Sequence, residues 1–128
     1  MASMLCGLYI KAVSGFLRMY NILLYMLPSI APVRLVDEQH GNKGRVEVYM
    51  DGSWATVCGQ NLDIDTADVL CKYMDFKSAI EVMKQSASQG SGRVLSVNCK
   101  GTSLKEDCII KSSDCSHDWD ASLVCQCM

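Results

Sequence analysis

Histidine is almost missing from this chain, and so are several patterns that would assign chemistry to it. His40 and His117 are the only two histidines. A Ser–His–Asp relay needs an imidazole held between a nucleophile and an acid; His117 has Asp118 and Asp120 close in sequence, but no nucleophile can be identified for it. The Cys-x₂₋₄-Cys pairs of structural zinc sites are absent: the gaps from Cys58 to Cys127 hold 12, 27, 8, 6, 9 and 1 residues. No glycine-rich phosphate loop opens a helix. Asp63, Asp65 and Asp68 look like a fragment of a calcium loop, yet its glycine and distal glutamate are lacking. No uninterrupted apolar run reaches the ~18–20 residues of a membrane-spanning helix, and no internal repeat occurs. Positive charge is scarce too: beyond Pro32 ten basic residues face 14 acidic ones, a formal charge of −4. That balance does not suit a protein living on phosphate backbones. No enzyme, cofactor, resident metal or dedicated nucleic-acid partner is therefore expected.

What is present divides the chain in two. Residues 1–32 carry only two charges, Lys11 and Arg18, among many Leu, Met, Ile, Val and Tyr. Arg18 followed by Met-Tyr-Asn-Ile-Leu-Leu-Tyr-Met-Leu has the form of a charged and then an apolar region of a signal peptide. Ser29-Ile30-Ala31 supplies the small residues of a cleavage site. Three readings fit this leader: a cleaved signal peptide, an uncleaved anchor over residues 5–27 with Lys11 and Arg18 reaching toward the interface, or a buried helix. The first two put the body outside the cell.

The remaining 96 residues are enough for one modest core, and seven of the eight cysteines lie among them. Behind an apolar leader, that density predicts a disulfide framework made in an oxidising compartment. Val33-Arg34-Leu35-Val36 alternates and predicts an opening strand, and 37–44 reads as a polar loop. Residues 45–58 predict a β-hairpin turning at Asp51-Gly52, whose residues accept the positive φ angles of a two-residue type I′ turn. Val46 and Val48 then face one side, and Arg45 and Glu47 the other, toward water. Asp65 is expected to cap a short helix whose apolar stripe is Ala67, Leu70, Cys71 and Met74. Residues 86–92 read as a loop, 94–97 and 122–125 as strands, and 103–108 as one further helical turn. The fold class expected is α+β.

These words in this order resemble the scavenger receptor cysteine-rich domain over essentially all of 33–126. They are Val33-Arg34-Leu35-Val36, Gly44-Arg45-Val46-Glu47-Val48-Tyr49, Trp54-Ala55-Thr56-Val57-Cys58 and Ala67-Asp68-Val69-Leu70-Cys71. Gly90-Ser91-Gly92, Val97-Asn98-Cys99, Ser103-Leu104 up to Cys108, and Cys115-Ser116-His117 through Cys125 follow. The resemblance implies a curved antiparallel β-sheet cradling one short α-helix, with 1–32 a leader and 127–128 a tail. It implies the pairs Cys58–Cys115, Cys71–Cys125 and Cys99–Cys108, a choice that spacing alone leaves open among 15 connectivities. Two further family cysteines would fall at Asn42 and Phe76; both are missing together, which points to the six-cysteine subgroup. Acidic residues that bind a divalent cation in some members are replaced by Leu95, Ser96 and Trp119, removing the oxygen ligands a hard cation needs.

The function implied is extracellular recognition without chemistry. The partner is a protein or a microbial or other polyanionic ligand, and Arg45 and Glu47 of the hairpin and Trp119 are the candidate contacts. For Trp119 the competing reading is a lid over the Cys58–Cys115 bridge. Cys6 and Cys127 stand outside the pattern. If the leader is removed Cys127 is odd, and an alternative follows: a secreted structural or regulatory subunit linked to a second chain through Cys127, with no microbial ligand.

Overall fold

A computed structural model describes residues 32–128. The signal-peptide or anchor reading of the leader falls outside these residues. Among the described residues no helix is long and apolar enough to cross a membrane.

Strands β1 (Val33–Val36), β2 (Lys43–Met50) and β3 (Ser53–Val57) are followed by helix α1 (Ile64–Tyr73). Strands β4 (Ser78–Met83) and β5 (Val94–Cys99), helix α2 (Leu104–Asp107), β6 (Cys108–Ser112), a 3₁₀ turn (His117–Trp119) and β7 (Ser122–Gln126) complete the chain. The strands form one curled, mostly antiparallel sheet in the order β4-β7-β2-β3-β5-β6, with β1 added along β2. Only β3 and β5 run parallel, Thr56 opposite Val94. A parallel pair needs a long crossover, and α1 and β4 supply it. The expected α+β fold, a curved sheet cradling one principal helix, is what forms.

The hairpin follows its turn chemistry. Asp51 (φ 52°) and Gly52 (φ 86°) both lie at positive φ, as a type I′ turn requires. They set Met50 opposite Ser53 and Tyr49 opposite Trp54. One face of β2 and β3 is the core: Val46, Val48, Ala55 and Val57 are fully buried with Leu95, Val97 and Leu123. Helix α1 adds Ala67, Leu70 and Cys71, none of which is exposed, to the same cluster.

The cap of α1 differs from the expectation. Asp63, not Asp65, is the N-cap, its carboxylate accepting the Thr66 N–H at 2.7 Å. The helix starts at Ile64, so Asp65 sits in the first turn, where its charge favours the positive end of the dipole. At the other end the Phe76 N–H donates to Cys71 O and the Asp75 N–H to Lys72 O. With Asp75 at φ 68° this is a Schellman ending.

Two strands were not expected. In β4 the register slips between Ala79 and Glu81, so Ile80 bulges out and is 59% exposed. One extra residue destroys the period-two signal. β6 is an edge strand whose Ile109 is 63% exposed, so apolar residues occur on both its faces. Strand β2 also begins at Lys43, inside the segment read as loop.

Gly44, where β1, β2 and β7 meet, has φ 150°, and a Cβ there would collide with the Val36 carbonyl. Gly44→Ala should therefore destabilise by about 2 kcal/mol, roughly 10 °C in Tm for a domain of this size. Gly52→Ala, whose Cβ meets no atom within 4 Å, should lose only about half of that, for its backbone angle alone. Thermal unfolding of the two variants checks the order.

Candidate recognition surface

The sheet face opposite the core carries Arg45, Glu47 and Tyr49 on β2, Arg34 on β1 and Trp54 on β3, brought together by register. Arg34 lies across from Glu47 and Tyr49 across from Trp54. Arg34 donates to Glu47 Oε1 from Nε (3.0 Å) and Nη2 (2.7 Å). Its guanidinium also sits 3.8 Å from the Trp54 ring centroid, a cation–π contact. Tyr49 meets Trp54 edge-on, centroids 5.3 Å apart. Arg34 and Tyr49 are exposed and Trp54 half-buried, so the cluster presents an aromatic and guanidinium surface.

Arg45 and Glu47 correct the sequence reading. They are not surface charges: only 7% and 6% of each is exposed. Arg45 is held by Asp37 (2.6 Å), by Ser88 Oγ (2.8 Å) and by Glu47 Oε2 (3.2 Å). The loop 86–92 covers this part of the face, so strand alternation placed these residues on the outer side without placing them in water. Arg93, just after the loop, pairs with Asp51 of the hairpin tip at 3.1 Å. All three described arginines are thus engaged by carboxylates of the chain itself.

Trp119 belongs to another place. It is half-buried in the 3₁₀ turn, and its carbonyl accepts the Gly59 N–H at 2.6 Å. Beside it, His117 Nδ1 lies 2.9 Å from Asp120 Oδ2 and 3.4 Å from Thr56 Oγ1, while Nε2 lies 2.9 Å from the Gly92 carbonyl. A relay needs the hydroxyl and the acid on opposite imidazole nitrogens. Here both lie at Nδ1, Thr56 is fully buried, and Nε2 is closed by backbone. The Asp120 carboxylate holds the His117 imidazole above its ordinary value, aided by the Gly92 carbonyl and opposed by burial and the Arg45 charge. Among the described residues no group of three or more His, Cys, Asp or Glu is placed to hold a metal ion. Leu95 is core, and neither Ser96 nor Trp119 brings a carboxylate.

Three disulfides staple these elements. Cys58–Cys115 ties the end of β3 to the segment before the 3₁₀ turn, Cys71–Cys125 ties α1 to β7, and Cys99–Cys108 joins β5 to β6. Cα separations are 5.9, 5.7 and 4.0 Å. Cys127 is disulfide-bonded as well.

A curled sheet around one helix, tied by these bridges, defines a small disulfide-stapled module. The scavenger receptor cysteine-rich domain matches residues 36–126, and the chain belongs to that family, one of extracellular receptor-type modules. It is 38% identical over 102 residues to the galectin-3-binding protein of Pongo abelii, covering 73% of this chain and 17% of that protein. It is 36% identical over 102 residues to lysyl oxidase homolog 3 of Homo sapiens, covering 74% and 14%. The chain spans less than a fifth of the length of these curated relatives, and the likeness to the lysyl oxidase homologs comes through their domains of this family. The third such domain of murine neurotrypsin superposes with a TM-score of 0.66 at 28% identity, covering 77% of this chain and 99% of that one.

Proposed function

We propose that this chain is a non-catalytic extracellular recognition module that binds a protein partner through the outer face of the β1–β2–β3 sheet. Residues 33–126 form the module, 1–32 a leader that exports or anchors it, and 127–128 a tail. The observation that carries the choice of partner is the neutrality of that face. Arg34 is matched by Glu47, Arg45 by Asp37 and Glu47, and Arg93 by Asp51. A polyanion gains affinity by meeting unpaired cations and releasing counterions, and this face has few to offer. Aromatic and arginine side chains that are partly buried and geometrically fixed are instead the usual anchors of protein interfaces. Arg45 and Glu47 then act by holding Arg34 and Trp54 in place rather than by touching the partner.

The six-cysteine subgroup is supported by the two positions where a fourth family bridge would fall. Asn42 is buried and donates from Nδ2 to the Cys125 carbonyl at 2.9 Å, and Phe76 is packed into the core. A polar tie and an aromatic ring take the space that a bridge would use.

The test pairs a polyanion with a cell surface. Purified module should pass through immobilised heparin and leave intact bacteria unlabelled at physiological salt, with or without calcium. A photo-crosslinking residue at Tyr49 should capture a protein on cells that bind the module, and the same residue at Lys111 on β6 should not. Tyr49→Ala and Arg34→Ala should each weaken cell binding about tenfold, an anchor-sized effect of roughly 1.4 kcal/mol. Retention on heparin that these substitutions abolish would return the polyanion reading.

A further inference from the structure

The loop 86–92 is fastened by polar contacts rather than by apolar packing. The Ser86 N–H donates to the Asp120 carbonyl at 2.7 Å, and Ser122 Oγ meets Ser86 Oγ at 2.9 Å. Ser88 Oγ accepts from Arg45, Gln89 Nε2 donates to Asp118 at 2.6 Å, and the Gly90 N–H donates to Asp120 Oδ2 at 2.7 Å. The last fastening is the Gly92 carbonyl on His117 Nε2 at 2.9 Å. Ala87, the loop's one side chain without a polar group, is exposed. The loop itself contributes no large apolar side chain to the core.

His117 stands between two acceptors, the Asp120 carboxylate at Nδ1 and the Gly92 carbonyl at Nε2. Only the imidazolium carries a proton on both nitrogens and can donate to both. A neutral ring must turn a lone pair toward one of them. The carboxylate is the stronger acceptor and keeps Nδ1–H, so the bond given up is the one to Gly92. The groups around the ring come from three elements. The 3₁₀ turn and the residue after it bring Asp118 and Asp120. Strand β2 brings the Arg45 cation, itself held by Glu47 and Asp37, and β3 brings the uncharged Thr56 hydroxyl. The ionised group in contact is Asp120, which is fully buried.

We infer that protonated His117 is a latch on the loop 86–92, closed in acid and released when the imidazole gives its proton to water. Release frees the Gly92 carbonyl and loosens the hold of Asp120 on Gly90, and a loop that lifts takes Ser88 from Arg45 and opens that guanidinium to solvent. The sign follows from the direction in which the imidazole is displaced. A histidine raised above 6.5 in the closed state contributes all of its stabilisation below the open-state value. It loses that stabilisation as pH rises through the closed-state value.

The experiment uses the secreted module carrying His40→Gln, which leaves His117 the sole imidazole of the described residues. NMR follows the His117 ring and the amide exchange of Gly90, each rate divided by its intrinsic value, from about pH 5 to 9. The expected result is a ring titrating above 6.5. Gly90 protection should fall about tenfold for each pH unit between the open-state and closed-state values, and be flat outside that window. His117→Gln, which brings one amide donor and no charge, should show low, pH-independent protection. A ring titrating at or below 6.5, or Gly90 protection flat across the range in the His40→Gln protein, overturns the latch even if His117→Gln fails to fold.

Discussion

Replacing Cys71 and Cys125 together by alanine is expected to lower stability by about 4 kcal/mol, the largest loss among the three described bridges. The bridge spans 54 residues, and closing a loop of that length removes entropy from the unfolded chain worth about 4 kcal/mol. Cys58–Cys115, with a separation of 57, falls in the same range, whereas Cys99–Cys108 closes only nine residues and is worth about 3 kcal/mol. A second effect separates the two long bridges. Cys71 and Cys125 are both fully buried, between α1 and β7, so alanine there also removes core contacts. Cys58 is buried but Cys115 only half so. The expected order of loss is Cys71–Cys125, then Cys58–Cys115, then Cys99–Cys108, read from guanidinium midpoints of the double-alanine proteins and from their secreted yield. Domains of this size hold roughly 5–15 kcal/mol in total, so the first variant should sit near the threshold of secretion. A Cys99–Cys108 deletion as harmful as the long ones would mean that native packing, and not loop closure, sets the contribution of each bridge.

How much of this was legible in the sequence depends on how local the signal was. The hairpin was, because Asp51-Gly52 and the alternation around it act within a dozen residues. The apolar stripe of α1 was also legible, but its cap was misplaced by two residues. Two aspartates compete there, and the winner is the one whose carboxylate reaches the Thr66 N–H. Strand β4 was hidden by the bulge at Ile80 and β6 by its exposed edge, and in both cases the missing information is the partner strand. The cysteine pairing came from family resemblance; fifteen connectivities fit the spacing equally. The candidate surface shows the same limit. Arg34 and Trp54 lie twenty residues apart in sequence and meet only because β1 and β3 flank β2. Pairing Arg34 with Glu47 needed the β1–β2 register, which the words Val-Arg-Leu-Val and Arg-Val-Glu-Val do not fix by themselves. The burial of Arg45 depends on the loop 86–92 folding over it, with Ser88 reaching the guanidinium from 43 residues away in sequence.

That burial leads to the second large effect. Glu47→Ala should destabilise the domain by about 3–5 kcal/mol, the scale of removing one partner from a buried ion network. The Glu47 side chain is 8% exposed and divides its two oxygens between two arginines, Oε1 to Arg34 and Oε2 to Arg45. Without it two guanidinium groups face each other across β1 and β2, and Arg45, itself 8% exposed, keeps only Asp37 and Ser88. Arg34 can turn to water, being 44% exposed, but doing so takes it off Trp54 and strips the candidate surface of its cation. Glu47→Gln keeps the shape and one acceptor and should fall between Glu47→Ala and the parent. The informative variant is the double replacement Arg45→Met with Glu47→Leu. Apolar side chains of similar volume leave no buried charge unmatched, and such exchanges are often neutral or stabilising. Equilibrium unfolding in urea, compared at unchanged m-value, separates the cases. A loss under about 1 kcal/mol for Glu47→Ala would place the network among solvent-screened surface pairs. A double variant as unstable as Glu47→Ala would mean that the charges do more than satisfy each other. In the expected outcome the double variant regains stability but, on the proposed reading of this surface, binds cells no better than Glu47→Ala. The network would then serve to aim Arg34 over Trp54 rather than to hold the fold together.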